Sequence, residues 1–406
     1  MEQYTGILGI IVLLSISFLL SNNRSLVDKN IIFWGLGLQF SFAFIILKTS
    51  FGEKLFFYFN IFIVKLISFA DAGSDFLFTS FIPEVGYDQA LLNFAFRALP
   101  VIIFFSSLIA VTYHLGIIQF VIKNISLLME KTMKTSGAET LSISANIFVG
   151  QTEAPILIRP YISLMTKSEL MAVMVGGFAT VAGSVMALYV TWLNNIPDIA
   201  GHLLAASVMS APAALMVAKI IYPETKSLKT INSNKINLKS NDNNIVDAVG
   251  RGATEGLKLA ANVAAMLIAF ISMVAMINFV LGLLGTSMQE ILGLLFKPLA
   301  WTMGIPWKDA QIVGTLMGEK IVLTELIAFR DLSDYVTKNI LSERSIIITS
   351  YALCGFANFG SIGIQLGGIG SMAPERKKDL SRIVFKAMLG GAIASWLTAS
   401  IVGIII

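Results

Sequence analysis

Charged side chains are scarce in this chain of 406 residues: Asp, Glu, Lys and Arg make up only 13% of it, whereas 56% is hydrophobic. So few polar residues cannot cover the surface of a soluble globule, so the composition predicts a polytopic membrane protein. The formal net charge of +4 is modest, and no basic run with interleaved aromatic residues indicates nucleic-acid binding.

Cysteine and histidine are nearly absent. The single cysteine, Cys354, excludes an intrachain disulfide and a thiolate metal cluster, and it is expected to be a small packing residue. His114 and His202 lie far apart in apolar runs without a zinc motif. No Ser-Lys, His-rich or paired-Asp arrangement supplies the groups that an intramembrane enzyme needs, so an enzyme is not expected. No basic residue precedes the first apolar run, which argues against a cleaved signal peptide.

Long apolar runs are plentiful instead, and a run of roughly 20 residues is needed to span the bilayer as a helix. The expected fold class is an all-α polytopic membrane protein with eight transmembrane helices, two re-entrant helical hairpins in inverted repeats, and interfacial helices. The expected spans are residues 4–20, 31–47, 98–122, 170–193, 199–218, 259–284, 345–374 and 387–406. Residues 51–72 mix aromatics with lysine, a composition that suits a helix lying in the membrane interface.

The two hairpins are expected at residues 138–165 and 309–340, which are apolar but divided by polar residues. An arm of about 14 residues rises about 20 Å as a helix, which reaches the middle of the bilayer without crossing it. The hairpins are expected to enter from opposite sides, as in the inverted repeats of alternating-access transporters.

A glycine-interrupted segment follows each hairpin: GGFATVAGS at 176–184 and GFANFGS at 355–361. Each is preceded by a segment that carries a carboxylate, QTEAP at 151–155 and TEL at 324–326. Unwound backbone at membrane depth is tolerated only where it lines a site. The duplicated pattern therefore predicts a secondary transporter, although a channel is possible in principle.

The carboxylates Glu153 and Glu325 are the central candidates for a binding site. A carboxylate at the centre of a membrane helix costs about 2.5–3.5 kcal/mol on insertion scales, so each needs a partner or a function. For Glu153 the alternative to a functional role is an ion pair with Arg159, four residues later. Glu319 and Lys320 are expected near the mouth of the second hairpin, solvated or paired.

Small polar residues mark the two breaks, with Thr180, Val181 and Ser184 on the first and Asn358 and Ser361 on the second. Breaks free carbonyl oxygens, which are hard ligands that suit sodium. Close helix packing is the alternative explanation for these residues. Carboxylates, carboxamides and hydroxyls together suit a neutral, polyhydroxylated solute. An anionic substrate would require Arg or Lys at depth, and neither repeat is expected to place one at its break.

The segments GQTEAP (150–155), GGFATVAGSV (176–185), TEL with Glu325, and CGFANFGS (354–361) resemble the concentrative nucleoside transporter family, and the similarity covers nearly the whole chain. The resemblance implies substrate-binding residues on both repeats. The nucleobase would be held by Gln151, Thr152, Glu153 and Val185, and the ribose by Glu325, Asn358 and Ser361. A sodium ion would be held by the side chains of Asn146 and Thr180 and the carbonyls of Val149 and Val181. One departure is that Thr324-Glu325-Leu326 stands where many members have Asn-Glu-Phe.

The resulting prediction is sodium-coupled, concentrative nucleoside uptake by alternating access, with a homotrimer in contact with membrane lipid. The alternative is a proton-coupled symporter of the same fold, with Glu153 or Glu325 titrating.

Basic loops at 223–247 and 375–382 are expected in the cytoplasm, which puts both termini outside the bacterial inner membrane. The expected divisions are scaffold spans and interfacial helix (1–122), first transport repeat (123–222), cytoplasmic linker (223–247), long scaffold span and external helix (248–300), and second transport repeat (301–406). Preference for purine or pyrimidine stays open.

Overall fold

The computed structural model describes residues 2–79, 93–225, 240 and 242–406, which are all-helical and contain no β-strand. The helices, in chain order, are α1 Glu2–Leu19, α2 Lys29–Lys48, α3 Ser50–Phe78, α4 Phe94–Arg97, α5 Leu99–His114, α6 Ile117–Met133, α7 Gly137–Ala145, α8 Arg159–Ile162, α9 Lys167–Ala179, α10 Gly183–Trp192, α11 Ile199–Ile221, α12 Ile245–Gly282, α13 Met288–Thr302, α14 Ala310–Val322, α15 Glu325–Thr337, α16 Glu343–Leu353, α17 Phe359–Met372 and α18 Lys377–Ile405.

Local sequence signals explain where several helices begin. Ser136 with Glu139 and Thr166 with Glu169 form capping boxes, which satisfy free N–H groups at the starts of α7 and α9. Gly116, at a φ of +83°, separates α5 from α6. The expected span 98–122 therefore ends at His114, and its last residues belong to α6.

Seven helical segments among the described residues are long and apolar enough to cross a membrane: 29–48, 50–78, 95–114, 167–192, 199–221, 245–282 and 374–405. Helix α3 contains the segment expected in the interface, and its 29 residues meet the requirement for a span. Its interfacial position stays a prediction. The expected span 345–374 is broken, as its glycine-interrupted segment predicts, into two shorter helices, α16 and α17, separated by residues 354–358.

One order of elements occurs twice: a hairpin, a helix broken in the middle, and a long continuous helix. The first set runs from α7 to α11 and the second from α14 to α18. Helix α18 packs against α9, α11 and α16, which joins the two sets. Almost all residues of the broken helix in the first set are buried, whereas few residues in the apolar part of α12 are. The centre of the molecule is therefore built from the repeated sets, with α12 at the periphery.

The two hairpins differ in regularity. In the first, α7 has only nine residues, fewer than the arm of about 14 expected at helical pitch. Turns follow it, then a short 3-10 helix, Ala154–Ile158. Pro155 and Pro160 lack the N–H that a regular helix needs, which explains the irregular second arm. In the second hairpin, α14 and α15 have 13 residues each.

Much of the expected linker 223–247 lies outside the described residues, including Lys226, Lys229, Lys235 and Lys239. Its end is described, because Asn244 caps the first turn of α12 by accepting a hydrogen bond from the Asp247 N–H.

Candidate functional site

One cavity of about 640 Å³ lies where the hairpins meet the two breaks, and α5 and α12 close its sides. This volume is within the range of small-molecule sites. All seven residues expected to bind substrate line it: Gln151, Thr152, Glu153, Val185, Glu325, Asn358 and Ser361. Ser184 and Thr324 line it as well.

The carboxylate of Glu325 is held by donors from two other segments. Thr324 caps α15, which places Glu325 in its first turn. Glu325 Oε1 accepts a hydrogen bond from the Tyr189 hydroxyl at 3.1 Å, and Oε2 accepts one from Asn358 Nδ2 at 2.7 Å. Tyr189 is itself fixed by stacking on Phe329, with ring centroids 4.2 Å apart. The carboxylate is therefore oriented before any ligand arrives.

Asn358 uses both ends of its amide. Its Oδ1 accepts from the Ser361 N–H at 2.8 Å and caps α17, while its Nδ2 donates to Glu325. An ionised carboxylate in its place could accept from Ser361 but could not donate to Glu325. The second break is thus joined to the tip of the second hairpin.

Gln151 connects the first hairpin to the second repeat. Its Nε2 donates to Ser361 Oγ at 3.2 Å, and its Oε1 accepts from Gln365 Nε2 at 3.1 Å. Gln365 Nε2 also donates to the carbonyl of Met174 at 3.1 Å. The orientation of the Gln151 amide is therefore set by residues distant in sequence.

Glu153 faces the cavity rather than a basic partner. Thr152 Oγ1 donates to its Oε1 at 3.3 Å. Within the described ranges Glu153 forms no ion pair with Arg159, whose side chain is exposed. Gly150 makes room for the carboxylate, because a Cβ built there would overlap Glu153 Oε2. The ion-pair alternative is therefore wrong, and the carboxylate stays available to a ligand.

The residues expected to bind sodium have suitable free oxygens. Asn146 donates from Nδ2 to the Ser142 carbonyl at 3.1 Å, and its buried Oδ1 has no hydrogen-bond partner among the described residues. Thr180 Oγ1 donates to the Gly176 carbonyl at 3.0 Å, which leaves its lone pairs free. An amide oxygen and a hydroxyl oxygen, both buried, fit a hard cation.

Comparisons with known proteins cover the whole length of the chain. Three family models match: Na+ dependent nucleoside transporter N-terminus at residues 8–81, Nucleoside recognition at 95–195, and Na+ dependent nucleoside transporter C-terminus at 202–403. The chain belongs to the Na+ dependent nucleoside transporter family. The resemblance noted in the sequence is confirmed, and family membership makes this protein an integral membrane transporter rather than an enzyme.

Relatives of this transporter include both bacterial and mammalian proteins. It is 41% identical over 428 residues to sodium/nucleoside cotransporter 1 of Rattus norvegicus, where the match covers all of this chain and 64% of the relative. The chain thus spans less than two thirds of the length of that relative. It is 41% identical to the uncharacterized transporter YutK of Bacillus subtilis (strain 168), with both chains covered completely.

Solved structures of CNTnw match this transporter in more than one state. CNTnw in an inward-facing substrate-bound state gives a TM-score of 0.91 at 40% identity, covering 99% of this chain and 98% of CNTnw. A CNTnw variant in an outward-facing state gives a TM-score of 0.91 at 39% identity, covering 100% and 98%.

Two expectations for this transporter are corrected by the geometry. Glu319 and Lys320 are buried, with 1% and 0% of their surface exposed, and are not solvated at the hairpin mouth. Lys320 Nζ donates to the carbonyl of Cys354, so a basic group does reach the second break. It is not among the residues that line the cavity. The expected packing role of Cys354 agrees with its burial.

Three residues that help to hold this site were not found from the sequence: Tyr189, Gln365 and Lys320. Each is a polar residue inside an apolar helix, which is the only signal that the sequence offered.

At another part of the cavity wall, Arg251 donates to Asp242 at 2.7 Å and to Glu255 at 3.0 Å. The hydrogen bond from Arg251 lowers the pKa of Asp242 to about 2.

Proposed function

We propose that this protein couples inward movement of sodium to concentrative uptake of nucleosides by alternating access. The observation that carries the proposal is the cavity in which a fixed carboxylate, Glu325, and an open carboxylate, Glu153, occur with the amides of Gln151 and Asn358. Carboxylates accept hydrogen bonds from ribose hydroxyls and ring N–H groups. Side-chain amides can both donate to and accept from a nucleobase.

The nucleobase would bind on the first repeat and the ribose on the second. Gln151, Thr152, Glu153 and Val185 form the first part. Glu325, Asn358 and Ser361 form the second, in which Glu325 accepts from ribose hydroxyls. Thr324 supports this role although it replaces the family's asparagine, because its hydroxyl caps α15 and holds Glu325 in the first turn.

Sodium would bind at Asn146 and Thr180 with the carbonyls of Val149 and Val181. The Gly183 N–H donates to the Phe148 carbonyl at 3.0 Å, which joins the first hairpin to its break near these residues. Sodium that favours this arrangement raises nucleoside affinity, and nucleoside raises sodium affinity equally. A potential of 100 mV adds about 2.3 kcal/mol per charge, or about fifty-fold in nucleoside gradient. The family's description names Na+, which favours sodium over the proton-coupled alternative.

The proposed membrane arrangement has eight spans and two re-entrant hairpins in inverted repeats. Residues 1–122 and 248–300 would form a scaffold, against which the repeats at 123–222 and 301–406 move, with a cytoplasmic linker at 223–247. We further propose a homotrimer in the bacterial inner membrane, with both termini outside.

The test is uptake of radiolabelled uridine and adenosine into proteoliposomes that contain the purified protein. An inward sodium gradient is compared with choline at fixed pH. Sodium-dependent accumulation is expected. Accumulation driven only by a proton gradient would mean that protonation of a carboxylate, and not sodium binding, is coupled to transport. No accumulation under either gradient would refute nucleoside transport.

A further inference from the structure

An arginine from the second repeat holds the far end of the first hairpin. Arg376 ends the short 3-10 helix Pro374–Arg376, which lies between α17 and α18. Its Nη1 donates to the carbonyls of Ile162 at 3.3 Å and Ser163 at 3.0 Å, and also to that of Met165. These carbonyls lie at or beyond the end of α8, where the backbone lacks the partners of a continuing helix. The side chain of Arg376 is only 13% exposed, so water has little access to these hydrogen bonds.

Two further charged groups fix the position of this guanidinium. Arg376 Nε donates to Asp379 Oδ2 at 3.2 Å, and Asp379 Oδ1 lies 3.1 Å from Lys167 Nζ. Asp379 is on α18, and Lys167 is the first residue of α9. These two helices pack against each other in the centre of the molecule. The guanidinium is therefore held by the central helices of both repeats.

The segment that Arg376 holds is one wall of the cavity. Ile156, Leu157 and Pro160, on the second arm of the first hairpin, line the cavity beyond Glu153. Pro155 and Pro160 lack a backbone N–H, and a 3-10 helix has poorer hydrogen-bond geometry than an α-helix. This arm therefore depends on other segments to keep its position beside the cavity.

The first arms of the two hairpins are held in a different way, by buried carboxylates with partners in their own repeat. Glu139, on α7, is fully buried and lies 2.8 Å from Lys219 Nζ. Asp309, just before α14, accepts from Ser342 Oγ and Ser345 Oγ, each at 2.7 Å. Separating a buried charge from its partners is costly, so each first arm is fixed within its repeat. The attachment of the second arm of the first hairpin instead crosses from one repeat to the other.

We propose that Arg376 is a positioning residue that keeps this second arm closed against the cavity, and that release of its hydrogen bonds opens the path by which nucleoside leaves. The inference rests on the proposed nucleoside transport. Arg376 is not among the residues that line the cavity, so it acts through the arm and not on the ligand. A contact that is the same with and without nucleoside changes how often the arm opens, but it does not change the affinity.

The test measures how fast radiolabelled uridine binds to and leaves the purified protein in lipid nanodiscs that contain sodium. Arg376→Gln removes the charged donor. Hydrogen bonds from a charged group are then lost, so the association and dissociation rates should each rise about tenfold, while Kd stays within about twofold. Arg376→Lys keeps the charge but replaces the planar guanidinium by a single ammonium, so its rates should lie between those of Arg376→Gln and the unmodified protein.

Two further variants separate the contact from the charge of the loop. Arg382→Gln removes an equal charge at an exposed arginine of the same basic loop and should keep both rates of the unmodified protein. Asp379→Asn weakens the hold on the guanidinium without removing it, so both rates should rise, but by less than in Arg376→Gln.

Unchanged rates in Arg376→Gln would overturn the inference. A faster dissociation with an unchanged association rate would also overturn it, because Arg376 would then stabilise the bound state and not the closed arm. If Arg376→Gln does not fold, Arg376→Lys and Asp379→Asn decide by the same two rates. Absence of uridine binding to the unmodified protein would refute the proposed function instead.

Discussion

Replacing Glu325 by Gln changes the site by one atom and one charge. Its two carboxylate oxygens accept from Tyr189 at 3.1 Å and from Asn358 at 2.7 Å. A glutamine keeps one acceptor for Asn358 and turns an NH₂ group toward the Tyr189 hydroxyl, whose oxygen can accept but whose proton loses its acceptor. The variant also loses the charge that would strengthen hydrogen bonds from ribose hydroxyls.

The magnitude follows from the loss of one hydrogen bond to a charged group, about 1.5–3 kcal/mol. Each 1.4 kcal/mol is a factor of ten in affinity, so the KM for uridine should rise about 10- to 100-fold in Glu325→Gln. Uptake is measured with an inward sodium gradient at several uridine concentrations. Glu375→Gln, at an exposed glutamate, is the matched control and should keep the original KM.

A second substrate makes the test specific for the ribose. The unmodified protein should discriminate strongly against uridine analogues that lack one ribose hydroxyl, and Glu325→Gln should discriminate much less, because the acceptor is already weakened. If the variant is correctly inserted yet keeps the same KM and the same discrimination, Glu325 does not contact the ribose and the reasoning is refuted.

Three further predictions concern other parts of the molecule. Asn146→Ala should abolish most sodium stimulation of uptake, because it removes the buried free Oδ1; Asn124→Ala, at an exposed asparagine with the same kind of bond to a backbone carbonyl, should not. Gly150→Ala should reduce uptake, because its Cβ would overlap Glu153 Oε2 and the carboxylate must move; equal activity of Gly150→Ala and unmodified protein would contradict this. The pKa of Asp242 is lowered to about 2, so its stabilising effect is complete above about pH 4 and is lost as the pH falls towards 2. Thermal melts at a series of pH values should show that loss in the unmodified protein and less of it in Asp242→Asn.

The parts of the site that were predictable from the sequence carry local signals. Gly150 and Pro155 interrupt the first hairpin, and the segments 176–184 and 355–361 are glycine-rich at positions where apolar helices break. Interruptions of this kind depend on backbone chemistry, which a single sequence displays directly. These local signals indicated the segments that carry six of the seven expected substrate-binding residues, whereas Val185 came only from the family resemblance.

The remaining features depend on contacts between distant segments. Tyr189 meets Glu325, and Lys320 reaches Ser395, but nothing local shows which polar residue in an apolar helix meets which break. The bend at Gly116 was missed for a different reason. The run 98–122 contains no Asp, Glu, Lys or Arg, so hydropathy alone does not reveal that the glycine adopts a positive φ there.

The hydrogen bonds of Gln151 to Ser361 and Gln365 constrain how the base preference of this transporter can evolve. The residue expected to recognise the base is held by residues of the other repeat. A substitution that alters base preference at one of these positions leaves a buried polar partner unsatisfied at another. New specificities should therefore arise through paired substitutions across the duplication, and single replacements at these positions should mostly be lost to selection.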